Sequence, residues 1–127
     1  MNKLVILVFL GGAVGAMLRE FAMLAVPKLA DGFPLDILIA NLLAAFLLGL
    51  VAALRSREVV SEGVYMLIGT GVAGGLSTFS SFAYAVAMLT KASTARAVVA
   101  LAYVVISLVL GYIAVIVGLK LCRQRTT

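Results

Sequence analysis

Between Gly74 and Phe82 the chain reads GGLSTFSSF, which places hydroxyls at Ser77, Thr78, Ser80 and Ser81 around two phenylalanines, Phe79 and Phe82. The two rings stand three residues apart, a spacing that puts them on one helix face. Two other stretches carry neutral polar groups among apolar neighbours. Tyr103 and Ser107 are four apart and Gly111 follows after another four, so one helical stripe would run hydroxyl, hydroxyl, bare backbone. Asn41 is followed by Ala44, Ala45 and Gly49. Hydroxyls, an amide NH₂ and the positive ring edges of phenylalanine all attract an anion without a fixed positive charge. Such a lining suits a small anion that must bind and then leave. Each group also has a simpler use: hydroxyls bond back to their own helix, tyrosine sits at membrane interfaces, and asparagine joins helices.

The groups that are missing narrow the chemistry. The chain has no histidine, and its one cysteine, Cys122, lies near the C-terminus, so a His/Cys metal site or a Ser-His-Asp nucleophile lacks its parts. An enzyme is not expected. A proton-coupled cation or multidrug exporter needs an ionisable group within the membrane. The acid found within an apolar run is Glu20, next to Arg19 and near a helix end, which argues against that class.

The elements that must carry these residues are membrane spans. With 65% hydrophobic and 12% charged side chains over 127 residues, the chain departs from the soluble average of about 45–50% apolar and about 25% charged. Apolar runs at 4–26, 37–54, 64–89 and 97–119 each approach the roughly 20 residues a transmembrane helix requires. The expected fold is an all-α integral membrane protein of four transmembrane helices, a single channel domain over 1–127. The first run begins after Lys3 but exceeds an h-region, and three spans follow, so it reads as a retained helix. The connections PKLADGFPLD, RSREVVSEG and TKASTAR are short and leave no room for a soluble domain. Gly11 and Gly15 form a GxxxG pair, read as helix packing. The Gly74-Gly75 pair reads either as a break in the third span or as a glycine kink for tight packing. A break frees carbonyls that attract a cation and amides at the next half-helix that attract an anion, and it is tolerated where it lines a cavity.

The net charge of +5 belongs to span ends rather than to a nucleic-acid surface, so no nucleic-acid partner is expected; the basic residues match membrane topology and lipid headgroups. Lys3, Arg55, Arg57, Lys120, Arg123 and Arg125 fall on one side, and Arg19, Lys28, Lys91 and Arg96 on the other. Six against four favours cytoplasmic termini, and a bias this small permits insertion in both orientations. A polar stripe and a helix break in four helices would leave groups facing lipid, so a second copy is expected. If it inserts upside down, a two-fold axis in the membrane plane brings the two breaks together.

With GGLSTFSSF, Asn41 in the preceding span and the Tyr103-Ser107 stripe in the next, the chain resembles the Fluc (CrcB) family of small fluoride channels along essentially its whole length. The resemblance implies a passive fluoride-selective channel that exports fluoride from a bacterial cell and gives fluoride resistance, driven by the potential across the inner membrane. It implies an antiparallel, dual-topology homodimer with a structural sodium ion held by main-chain carbonyls of Gly74 and Ser77 from both copies. Phe79 and Phe82 would offer ring edges to fluoride, Asn41, Ser80, Ser81, Tyr103 and Ser107 would extend the path, and Arg19 would lie at the aqueous vestibule. The chain departs from the family pattern at Ile37, where a threonine is common, at Ala85, where a glutamate is, and at Gly111, where a hydroxyl is. Those changes keep open a second assembly, one half of a heterodimeric fluoride channel.

Overall fold

The structure is a computed structural model that describes residues 2–123, with the side chain of Arg123 excluded; Arg125, counted above in the charge balance, lies outside the described residues. Among the described residues four helical spans are long and apolar enough to cross a membrane. The first is α1, Asn2–Ala25, and the second α2, Leu35–Ser56. The third is composite. It opens with α3, Glu62–Tyr65, widens into a π-helix over Met66–Ala73, tightens again in α4, Gly74–Leu76, and after two extended residues resumes as α5, Phe79–Ala92. The fourth is α6, Thr94–Arg123. Each helix extends a few residues past its apolar run at both ends, α1 excepted at its C-terminus, and three helix starts in the third and fourth spans are capped by side chains. Ser61 Oγ accepts the Val64 N–H at 3.3 Å, Thr78 Oγ1 accepts the Ser81 N–H at 3.2 Å, and Ser93 Oγ accepts the Arg96 N–H at 3.2 Å. Glu58 ends α2 in the left-handed region, φ 58°, and its N–H bonds the Arg55 carbonyl at 3.0 Å. That is the conformation glycine favours after a helix.

Glycine sets which spans touch. A Cβ at Gly11 would overlap the Leu67 carbonyl, and one at Gly15 the Val72 carbonyl, so α1 lies backbone to backbone against the π-helix. The GxxxG pair therefore packs, as its spacing suggests, and its partner is the widened stretch of the third span. On the other side of the bundle a Cβ at Gly49 would overlap the Val115 carbonyl and one at Gly118 the Phe46 carbonyl, which draws α2 and α6 equally close. The second span is central: 39% of its apolar window is buried, against 11% for α1 and for α6. The two outer helices thus turn large apolar side chains outward, among them Phe9, Phe21, Leu101 and Tyr112, onto surfaces that lipid or another subunit must cover.

The third span is broken, but not at the glycine pair. Gly74 and Gly75 are helical, and the chain leaves the helix at Ser77 (ψ 152°) and Thr78 (φ −147°, ψ 109°). The glycines serve another purpose. A Cβ at Gly75 would overlap the Gly12 carbonyl of α1, whereas one at Gly74 would meet nothing within 4 Å. Gly75 allows a close helix contact, and Gly74 leaves an open surface on the same turn.

Candidate functional site: the break in the third span

The break is held from outside its own helix. Thr78 is buried, and its N–H donates to Asn41 Oδ1 at 2.7 Å while Asn41 Nδ2 donates to the Thr78 carbonyl at 3.3 Å. One amide side chain from α2 thereby satisfies both backbone groups of a residue that has left its helix. This settles the orientation of the amide, since the Thr78 N–H can meet only an acceptor. It also sets Asn41's capacity toward an anion: one Nδ2 hydrogen is committed to Thr78 and the second remains. The Thr78 hydroxyl caps α5, donates to Ser81 Oγ at 3.0 Å and lies 3.3 Å from Ser80 Oγ. Asn41, Ser80 and Ser81 thus fix Thr78 in place.

Two cavities meet at this point. The first, about 580 Å³, is lined by Asn41, Gly74, Ser77, Thr78, Phe79, Phe82 and Ser107, and so unites six of the residues singled out from the sequence around one groove. Phe79 is 80% exposed there, and the two phenylalanine rings stack with centroids 5.9 Å apart and planes 29° apart. Tyr103 lies beneath Phe82, ring centroids 5.2 Å apart, and is fully buried. Its Oη and the Ser107 Oγ are buried with no hydrogen-bond partner. A buried hydroxyl without a partner costs about 1–3 kcal/mol, and these two neighbouring hydroxyls can pair with each other or turn to a polar guest. The second cavity, about 720 Å³, takes Ser80 and Ser81. Those two hydroxyls, expected to line the same path, open on this other side and touch the first cavity through Thr78.

Arg19 lines neither cavity. Its Nη1 donates to the Gly75 carbonyl at 3.2 Å, covering one of the acceptors left open at the end of α4. Gly74 and Ser77 are exposed on the groove side of that end, where Ser77 Oγ bonds the Gly74 carbonyl at 3.3 Å. The described residues hold no cluster of His, Cys, Asp or Glu able to bind a metal. A cation at the break would thus rely on neutral main-chain oxygens, and the exposed Gly74 turn presents oxygens of that hard, uncharged type.

Two contributors were not singled out in the sequence. Thr78 was one hydroxyl among four, although a threonine immediately before a helical run is an N-cap signature. Phe33, in the first loop, packs edge-on against Tyr103 at 5.4 Å and 85°; an aromatic between glycine and proline in a short loop gives no sign of its partner. The larger cavity is lined by Ile37 and Ala85, two of the three positions that depart from the family pattern. No contact lies within 4 Å of a Cβ at Gly111, the third.

A family model described as "CrcB-like protein, Camphor Resistance (CrcB)" matches residues 6–119. A protein of Brucella melitensis named fluoride-specific ion channel FluC 2 is 57% identical over 120 residues, 94% of this chain and 44% of that protein. One from Yersinia pseudotuberculosis, FluC 3, is 51% identical over 121 residues, covering 95% and 90%. One from Deinococcus radiodurans, FluC, is 43% identical over 111 residues, covering 86% of each. The chain spans less than half the length of the Brucella relative and nine-tenths of the Yersinia one. With four apolar spans, a clasped break in the third and a match over nearly its full length, this chain belongs to the CrcB family.

Proposed function

We propose that the protein is a passive, fluoride-selective channel of the bacterial cell membrane that lets cytoplasmic fluoride leave and so confers fluoride resistance. The relatives' names point to fluoride as the ion and to transport rather than catalysis. The observation that carries the reading onto these residues is the groove in which Phe79, Phe82, Asn41 and Ser107 converge, with Tyr103 buried behind it against Phe82.

The mechanism follows from what each group can do. Fluoride must lose hydration to enter a groove walled by apolar helices, and each lost water needs a replacement donor. The free Nδ2 hydrogen of Asn41 and the hydroxyls of Ser107 and Tyr103 supply conventional donors; Phe79 and Phe82 supply ring-edge C–H groups with partial positive charge. None carries a full charge, so the ion is compensated but not trapped, which conduction requires. Ser80 and Ser81 continue the hydroxyl track past Thr78. The Asn41 clasp keeps the groove open by holding the backbone away from helical closure. Phe79, Ser77 and Gly74 are exposed near the middle of a span, and lipid is a poor neighbour for polar backbone there. A second copy in antiparallel orientation covers this surface, and Gly74 and Ser77 carbonyls of both copies would hold a structural sodium ion. That ion would supply fixed positive charge at the dimer axis; conduction itself is the work of the side chains named above.

The reading is tested in bacteria stripped of their own fluoride export. Expression of this chain restores growth in fluoride medium, while Phe82→Ile, expressed to the same level in the membrane, does not. Growth restored equally by both would remove the phenylalanines from the mechanism.

A further inference from the structure

The larger cavity carries an arrangement that the groove does not explain. It is bounded by the loop between α1 and α2, the start of α6 and the outer part of α5, and its polar lining includes Lys28, Asp36, Ser80, Ser81, Tyr84 and Arg96. Asp36 is buried, in the first turn of α2, and forms an ion pair with Lys28. Its negative charge is therefore cancelled within the cavity wall. Asp31, in the same loop, is exposed and turns its carboxylate to the Phe33 N–H at 2.9 Å. The charge left in the cavity lining is Arg96. Its guanidinium lies beside Gly32, where a Cβ would stand 3.8 Å from Arg96 Nη1, and no carboxylate among the described residues pairs with it. Gly32 has φ 82°, so the loop passes close to the arginine at a residue free of side-chain bulk.

We propose that this cavity is an outer mouth of the anion path and that Arg96 is the charge that concentrates fluoride in it. The inference rests on the channel reading above and adds an electrostatic step to it. Ser80 and Ser81 connect the mouth to the groove: both line the larger cavity, both meet the Thr78 hydroxyl within 3.3 Å, and Thr78 lines the groove. The aromatic chain runs the same way, since Phe33 lines the mouth, Phe82 lines the groove, and both pack on Tyr103. The remaining wall includes Ile37 and Ala85, which offer the anion nothing. A mouth with apolar walls and hydroxyls at its floor gathers anions only through a charge at its rim. Arg96 has that position, outside the dehydrated path, where a full charge attracts without trapping.

The test is fluoride flux through the full chain in neutral phosphatidylcholine liposomes at subsaturating fluoride, at about 10 mM and about 1 M ionic strength, where the Debye length falls from roughly 30 Å to 3 Å. One charge acting over about 8 Å of water changes local anion concentration by about twofold to threefold. Arg96→Gln should therefore lower low-salt flux about twofold to threefold, and Arg96→Glu by about the square of that factor. Arg96→Lys should retain wild-type flux, and all four proteins should converge at high salt. Equal losses at both ionic strengths would assign Arg96 a purely structural role and overturn the proposal, as would an Arg96→Glu protein with wild-type salt dependence. Absence of flux from the wild type, by contrast, would overturn the channel reading itself.

Discussion

Replacing Asn41 with alanine tests how the break is held. The substitution removes the acceptor for the Thr78 N–H, at 2.7 Å, and the donor to the Thr78 carbonyl, at 3.3 Å. Thr78 is 7% exposed, and a dry, unpaired backbone group costs about 1–3 kcal/mol, which sets an upper range of about 2–6 kcal/mol for the two. Both groups border the groove, where water can replace part of the loss. Side-chain hydrogen bonds measured between membrane helices average only about 0.6 kcal/mol each, so the lower bound is about 1 kcal/mol. The expected destabilisation of Asn41→Ala is thus about 2–3 kcal/mol, read by equilibrium unfolding in mixed detergent and SDS micelles. Fluoride flux should fall as well, because α4 and α5 lose their fixed separation. Asn41→Asp keeps an acceptor for the Thr78 N–H but sets its second oxygen against the Thr78 carbonyl and buries a charge, so it should be no more stable than Asn41→Ala, and the negative charge beside Phe79 and Phe82 should abolish flux. An Asn41→Ala protein with wild-type unfolding and wild-type flux would refute the clasp.

Tyr103→Phe removes a buried hydroxyl that has no partner, so stability should hold or rise by up to about 1–3 kcal/mol while fluoride flux falls; a stability loss with unchanged flux would make Tyr103 a packing residue. Gly11→Ala and Gly15→Ala push a methyl into backbone carbonyls that cannot move aside, at a cost of about 1–3 kcal/mol in the same unfolding assay. Gly12→Ala, with nothing within 4 Å of its Cβ, is the control and should be neutral or stabilising by up to about 1 kcal/mol. Lys28→Gln leaves Asp36 buried without its partner; because the Lys28 side chain is 75% exposed, screening reduces the expected loss to about 1–2 kcal/mol. The double variant Lys28→Gln/Asp36→Asn should recover most of it.

Much of this architecture is legible in the residues, for identifiable reasons. Four spans follow from hydrophobic run length, because a bilayer sets the length of every helix that crosses it. The convergence of Asn41, Phe79, Phe82 and Ser107 follows from neutral polar groups set in apolar stretches, which must find one another or face lipid. The position of the break does not follow. A glycine pair permits a break, but Gly75 is used for close approach to Gly12, and the helix opens two residues later, at Ser77, where Asn41 takes up the Thr78 backbone. That bond joins residues 37 positions apart, and no local pattern contains it. The π-helix at Met66–Ala73 is hidden for a similar reason: its Gly71 packs against Gly11 of α1, a partner no local pattern names. Ser80 and Ser81 carry the right chemistry at the right spacing, yet they open on the second cavity, beyond the two extended residues whose dihedrals no local pattern encodes.

The central claim is that these residues conduct fluoride with no other protein present. Its most direct test is efflux from liposomes that contain this chain alone, loaded with potassium fluoride, triggered by valinomycin and followed with a fluoride electrode, with potassium chloride as the comparison. The account predicts rapid fluoride release on adding valinomycin, strongly reduced by Phe79→Ile or Phe82→Ile, with chloride retained. Fluoride retained in the vesicles by protein verified as folded and dimeric, or chloride released as fast as fluoride, would contradict it.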